Sequence, residues 1–315
     1  MDVLSDVIAA MRAGRPHSSR RRTYAPWGMR FAASEGAGFH VVLQGSAWLI
    51  PPGDAAPVHL GVGDVVFLAH GRGHALADDP ATPLTDVAPG PDGTWPTAAD
   101  PPSDGGSAVS AQLLCGAYQL NRARAHPLLT GLPDVVHLPA QVGSHPSLRA
   151  AIDLLGAELQ HPQPGSDAIV PALLDTLLLY ILRTWWLDTH AAGQSTGWSA
   201  ALSDPAVSVA LSAIHDDPSH PWNVEELGAA AGLSRAAFAR RFTALVGEPP
   251  LAYLTWWRMT TAGRLLRSDD STLRSVAERC GYTSEFAFAK AFKRQYGVAP
   301  GQYRRRAGAN ASQGR

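Results

Sequence analysis

Short runs of apolar and β-branched residues dominate the first quarter of the chain, and a helical period takes over later. Across residues 22–80, the runs FHVVLQGSAWLI and VHLGVGDVVFLAHG are broken by Gly and Pro, with GVGD between two of them. They predict short strands joined by tight turns. Residues 80–106 are dense in Pro, Gly, Asp and Thr and show no apolar period, which predicts a long surface loop. Strand-like sequence resumes at VSAQLLCGAYQL. From Ser147 the spacing is helical: LRAAIDLLGAELQ predicts one amphipathic helix, PQPGS a turn, and DAIVPALLDTLLLYILRTWWLDTH a second, longer helix. The most apolar run, 169–187, contains Pro171, Asp175 and Arg183, so it reads as a buried helix and not as a membrane span. The N-terminus lacks the long apolar core of a secretory signal, and neither export nor membrane attachment is expected.

Small and polar residues at 191–203 (AAGQSTGWSAALS) predict a linker. Beyond it, Asp204 and Pro205 have the form of a helix start, with the carboxylate as cap and Pro at the first helical position. The pattern then repeats. Gly232, Phe238, Phe242, Gly247, Pro250 and Tyr253 are echoed by Gly281, Phe288, Phe292, Gly297, Pro300 and Tyr303. The glycines lie 49 residues apart and the positions from the phenylalanines onward 50 apart, so the second copy holds one extra residue in its turn. Each copy predicts a short helix, a turn at Gly and a second helix with an inward Phe pair, which is the helix-turn-helix pattern. The intervening LAYLTWWRMTTAGRLLRS predicts a continuous helix that holds the two copies together.

If the inward faces are Phe238/Phe242 and Phe288/Phe292, the outward faces follow from the helical period. In the first copy they are Arg235, Ala236, Ala239 and Arg240, after Ser234 as cap. In the second they are Ser284, Glu285, Phe286, Ala289 and Lys290, with Lys293 and Arg294 placed for phosphate contacts. Arg can pair bidentately with guanine, whereas Ala offers only van der Waals contact, as to a thymine methyl. Each isolated Arg also fits a solvated surface position. A double-stranded DNA operator is the partner these faces predict, with two recognition helices entering successive major grooves about 34 Å apart.

The charge distribution agrees. Residues 203–315 hold 15 Arg/Lys and 10 Asp/Glu, against 11 and 17 in residues 1–202, although the whole chain carries a net charge of -1. A basic C-terminal half suits a polyanion. With 315 residues the chain is long enough for two cores. Two cysteines far apart, Cys115 and Cys280, imply no disulfide framework and a reducing, cytoplasmic location.

The run CGYTSEFAFAKAFKRQYGVAPGQYRR, the first helix-turn-helix and the RMTTAGRLL helix together resemble the DNA-binding domain of the AraC/XylS transcription regulators over residues 203–306. Over residues 3–190, FHVVLQGSAWL, GDVVFLAHGRGHALADDP and LLCGAYQLNRARAHPLLTGLPDVVHL resemble the cupin-type sensor of one branch of that family. The resemblance implies an α+β chain of two domains: a cupin-like β-barrel with a helical dimerisation pair (1–190), a linker (191–203), an all-α DNA-binding domain with two helix-turn-helix motifs (204–306) and a disordered tail (307–315). It further implies a homodimer, a small-molecule effector at the barrel and RNA polymerase as a partner. Many relatives carry larger polar groups where Ala236 and Ala239 stand, so the first recognition helix is expected to read fewer bases.

His40, His70, His74 and Cys115 fall on or beside predicted strands, and a barrel could gather them around a divalent metal such as zinc. HGRGH at a strand end equally suits surface or hydrogen-bonded histidines. Cys115 could instead sense redox state, or pack as a small apolar residue. Cupin barrels also serve metal-dependent enzymes. No acidic ligand or general base accompanies the histidines, so an enzyme fused to a DNA-binding module is the alternative to a regulator, and a barrel that recruits only proteins is a third reading.

Overall fold

The computed structural model describes residues 2–12, 14–34, 36–88, 109–120, 126–141, 143–268 and 271–313. The chain divides into two compact units. After helix α1 (Val3–Met11), the sheet-rich unit spans Met11–Gly193 and contains β1 (His17–Thr23), β2 (Gly28–Phe31), β3 (Ala37–Gly45), β4 (Ala47–Ile50) and β5 (Val58–Leu60). It continues with β6 (Val65–Leu68), β7 (His74–Ala77), β8 (Thr85–Val87), β9 (Ala111–Tyr118), α2 (Pro127–Thr130), β10 (Val136–Leu138), α3 (Pro146–Gln160) and α4 (Ser166–Ala191).

Two five-stranded sheets result, in the orders β1-β9-β3-β6-β10 and β5-β4-β7-β2-β8. Pairing is antiparallel except between β2 and β8. One core draws Val42, Val66 and Leu113 from the first sheet and Met29, Leu49 and Leu76 from the second. The two sheets therefore bury their apolar faces against each other, as alternating strands require. The turn predicted at GVGD is present: Gly63 adopts φ 89°, and the Asp64 carboxylate accepts from the Gly61 amide at 3.0 Å.

The segment predicted as a loop over residues 80–106 differs in part. Thr85–Val87 is a strand, because its backbone pairs with Met29–Phe31 along an edge that has room for it; residues 89–108 lie outside the described residues. The first strand also begins earlier than predicted, at His17. Helices α3 and α4 follow the predicted pair. By length and composition α4 could cross a membrane, yet Leu174, Leu177, Leu178, Ile181 and Leu182 are buried and the Tyr118 hydroxyl donates to the Leu174 carbonyl at 2.8 Å.

The helical unit comprises Gln194–Arg315 together with α1 as far as Ala10. Its helices are α5 (Gly197–Ser203), α6 (Pro205–Asp216), α7 (Val224–Ala230), α8 (Arg235–Val246), α9 (Pro250–Ser268), α10 (Leu273–Arg279), α11 (Glu285–Tyr296) and α12 (Pro300–Gln313). Three features depart from the sequence expectation. The N-terminal helix groups with this unit and not with the sheets. The predicted linker contains α5, started by a capping box between Thr196 and Ser199 and anchored by buried Trp198. The predicted disordered tail is helical to Gln313, in a segment rich in alanine and free of proline after Pro300.

Helix α9 joins two cores. Near its start Tyr253 packs on Phe242, with ring centroids 6.0 Å apart. Toward its end Met259, Ala262, Leu265 and Leu266 share a cluster with Phe288 and Phe292. The Tyr296 hydroxyl donates to the Met259 carbonyl at 3.2 Å and passes over Gly263, where a Cβ would lie 2.3 Å from that oxygen. A side chain at this position would push the Tyr296 hydroxyl from its place on the helix.

Candidate nucleic-acid interface and sensor cavity

The two repeats fold alike. Asn223 and Thr272 cap α7 and α10, and Ser234 and Ser284 cap α8 and α11 by accepting from the Ala237 and Ala287 amides. Between the helices Gly232 and Gly281 adopt φ 67° and 75°, a region open to glycine at little cost. The offset grows from 49 at these glycines to 50 at the capping serines, so the extra residue lies in the second turn, as the spacing predicts. Both α8 and α11 are 12 residues long and end at a left-handed glycine, Gly247 or Gly297.

Phe238, Phe242, Phe288 and Phe292 are fully buried. That burial turns the proposed DNA-facing residues outward. Arg235, Ala236 and Arg240 are exposed on α8, and Ala239 is half-buried beside them. On α11, Glu285, Phe286, Lys290, Lys293 and Arg294 are exposed and Ala289 is half-buried. Phe286 is 80% exposed, an unusual position for a large apolar ring. Arg241 also faces outward but is held by Asp204, with contacts of 2.7 Å from Nε and 2.5 Å from Nη2. Asp204 thereby caps α6 and restrains one cation of α8.

The sheet-rich unit holds a partly open cavity of about 250 Å3, lined from both sheets. Alternation along β1 brings Ser19 and Arg21 to its wall; Cys115 lies opposite Ser19 on β9, and His40 lies opposite Cys115 on β3. From the second sheet come Phe31 and His74, paired across β2 and β7 and stacked at 4.8 Å. The His40 and His74 Nε2 atoms are 2.7 Å apart. Burial, then His74 and Arg21, hold the His40 imidazole well below the ordinary histidine range. Burial lowers His74 to about 4, opposed by a hydrogen bond to the Arg72 carbonyl. Both rings are therefore neutral near pH 7.

The predicted four-residue metal set is not brought together. His40, His74 and Cys115 line the cavity, whereas His70 sits in the turn after β6 with Nε2 on the Leu132 carbonyl at 2.9 Å. Among the described residues no group of three or more His, Cys, Asp or Glu side chains is arranged to hold a metal ion. Burial pushes the Cys115 thiol up to about 12, with Arg21 opposing, which suppresses the thiolate that redox sensing needs. Arg21 was hidden in the sequence: HSSRRRT reads as a solvated charge run unless the strand's alternation is known to turn Arg21 inward.

A sheet domain with a side-chain-lined cavity and a helical domain with twin exposed basic helices define a DNA-binding transcription regulator. Comparison with known proteins agrees: residues 2–186 match the cupin family model, and residues 227–306 match the model of a helix-turn-helix domain. The AraC-like transcription regulator of Streptomyces lividans is 34% identical over 306 residues, covering 97% of this chain and 98% of that protein. The HTH-type transcriptional regulator MtrA of Neisseria gonorrhoeae is 32% identical over 289 residues, covering 90% and 91%. The DNA-binding domain of AdpA, solved in complex with a target DNA, is 38% identical and covers 35% of this chain and 98% of its own, with a TM-score of 0.33. The chain belongs to the AraC family of transcription regulators, with an N-terminal cupin domain, and it is not an enzyme.

Proposed function

We propose that this regulator binds an asymmetric operator site through two helix-turn-helix motifs, α7–α8 and α10–α11, under the control of a small effector held in the cupin cavity. The observation that carries this reading is the pair of equal-length helices whose Phe faces are buried and whose opposite faces are exposed and cationic. Ser234, Arg235, Ala236, Ala239 and Arg240 form one reading face. Ser284, Glu285, Phe286, Ala289 and Lys290 form the other, and Lys293 and Arg294 meet phosphates. Each face enters one of two successive major grooves.

Dimerisation falls to α3 and α4. Leu154, Ile169 and Leu187 on this pair are exposed, large and apolar, as a surface covered by a second copy requires. A cytoplasmic dimer on DNA, contacting RNA polymerase, completes the reading. Its test is selection of bound fragments from a random DNA library, followed by affinity measured against salt. The reading predicts a defined sequence and an affinity that falls steeply with salt; binding without sequence preference contradicts it.

A further inference from the structure

We infer that Phe286 reads a thymine methyl group in the major groove and so fixes a thymine in the half of the operator met by α11, an inference that rests on α8 and α11 being the reading helices. The first observation is exposure. The chain has eight phenylalanines, and seven are buried whereas Phe286 is 80% exposed. A phenyl ring left in water forgoes the burial that stabilises the other seven. Its place on the helix is fixed, because the Ser284 hydroxyl accepts from the Ala287 amide at 3.4 Å and Phe286 lies between them.

The second observation is the company the ring keeps. Phe286, Lys290 and Lys293 recur at the spacing of one helical face, opposite buried Phe288 and Phe292, and all three are exposed. Lys293 and Arg294, two turns along, can hold phosphates, whereas neither Phe286 nor the adjoining Glu285 carboxylate can. The N-terminal turn therefore meets base edges while the later turns follow the backbone. The same cations argue against a protein surface as the occupant, since an apolar partner would strip water from Lys290 and Lys293 without supplying an anion.

Base chemistry narrows the contact. Adenine, guanine and cytosine offer the major groove donors and acceptors, which a phenyl ring would desolvate without returning a hydrogen bond. Thymine adds a C5 methyl, the one apolar group on these edges. At the equivalent position α8 carries Ala236, whose single methyl reaches less far, so the preference belongs to the half met by α11.

The test uses the full chain and an operator recovered by selection from the random DNA library. Each thymine is replaced in turn by deoxyuridine, which keeps every hydrogen-bonding group and lacks only the methyl. Affinity is measured for the unaltered chain, Phe286→Ala and Phe286→Ser. In the unaltered chain, replacement of a thymine in one half of the site is expected to weaken binding roughly three- to tenfold. Both variants should be indifferent at that thymine and melt at the temperature of the unaltered chain. Penalties from methyls read by the alanines of the two faces should persist in the variants. A site with no uracil-sensitive thymine, or one whose every penalty persists in both variants, overturns the thymine assignment and leaves the operator reading standing. A marked fall in melting temperature in both variants places the ring in the core and overturns the assignment as well. Failure to select any preferred sequence sinks the operator reading itself.

Discussion

Helices α8 and α11 share their inward phenylalanines and the outward Ala239/Ala289 pair, and differ at three outward reading positions. Phe238 and Phe242 correspond to Phe288 and Phe292, and all four are fully buried. Outside, Arg235, Ala236 and Arg240 on α8 face Glu285, Phe286 and Lys290 at the equivalent positions of α11. Packing tolerates few substitutes at the inner positions, because a cavity or an extra methylene is felt at once. The outer positions carry no such constraint, so one scaffold can present two different reading faces. The supporting tyrosines differ as well. The Tyr253 hydroxyl shares a 2.7 Å hydrogen bond with His215 Nε2, whereas the Tyr303 hydroxyl accepts from Arg267 at 2.6 Å.

The strongest way to break the comparison is through the shared core. Phe238→Ala and Phe288→Ala are each expected to cost about 3–5 kcal/mol of stability, measured by denaturant unfolding. A loss below about 1 kcal/mol at either position removes it from the core scaffold. On the outer faces the effects should diverge. Arg240→Ala is expected to weaken operator binding by about 1–3 kcal/mol and to relax base preference, while Lys290→Ala weakens binding to all sequences and lowers the salt slope by about 1 if it meets phosphate. Phe286→Ser should lower operator affinity while changing stability by no more than about 0.5 kcal/mol, since its ring is exposed.

The smallest expected effect is on pH. Burial lowers the His215 imidazole below its ordinary 6.5, although Asp6 and Asp216 oppose the shift. A depressed folded-state value means that the folded chain binds fewer protons than the unfolded chain. The contribution is therefore present above about pH 6.5 and is lost as the pH falls through the folded value. Melting temperature should drop below pH 6.5 more steeply in the unaltered chain than in His215→Gln, and parallel profiles would exclude His215 as the source. Treatment with a chelator should leave the melting temperature unchanged, because His70 is turned away from His40 and His74.

Period and punctuation made the repeated motif legible down to the single extra residue in its second turn, because Gly, capping Ser and Phe spacing are local signals. Burial and partnership were not local. Trp198 disguised a capped helix inside a small, polar segment, and Thr85–Val87 became a strand only because Met29–Phe31 offered an edge. Arg21 and His70 show the same limit at the cavity: the alternation of β1 turns Arg21 to the wall, and the turn after β6 sets His70 on the Leu132 carbonyl, away from the other histidines.

The central claim is that α8 and α11 read different bases, so that one chain recognises an asymmetric site. Sequencing of DNA selected by the unaltered protein and by Arg240→Ala tests it most directly. The account predicts that the variant loses preference in one half of each site and keeps it in the other. Loss in both halves, or an unchanged site, would contradict it.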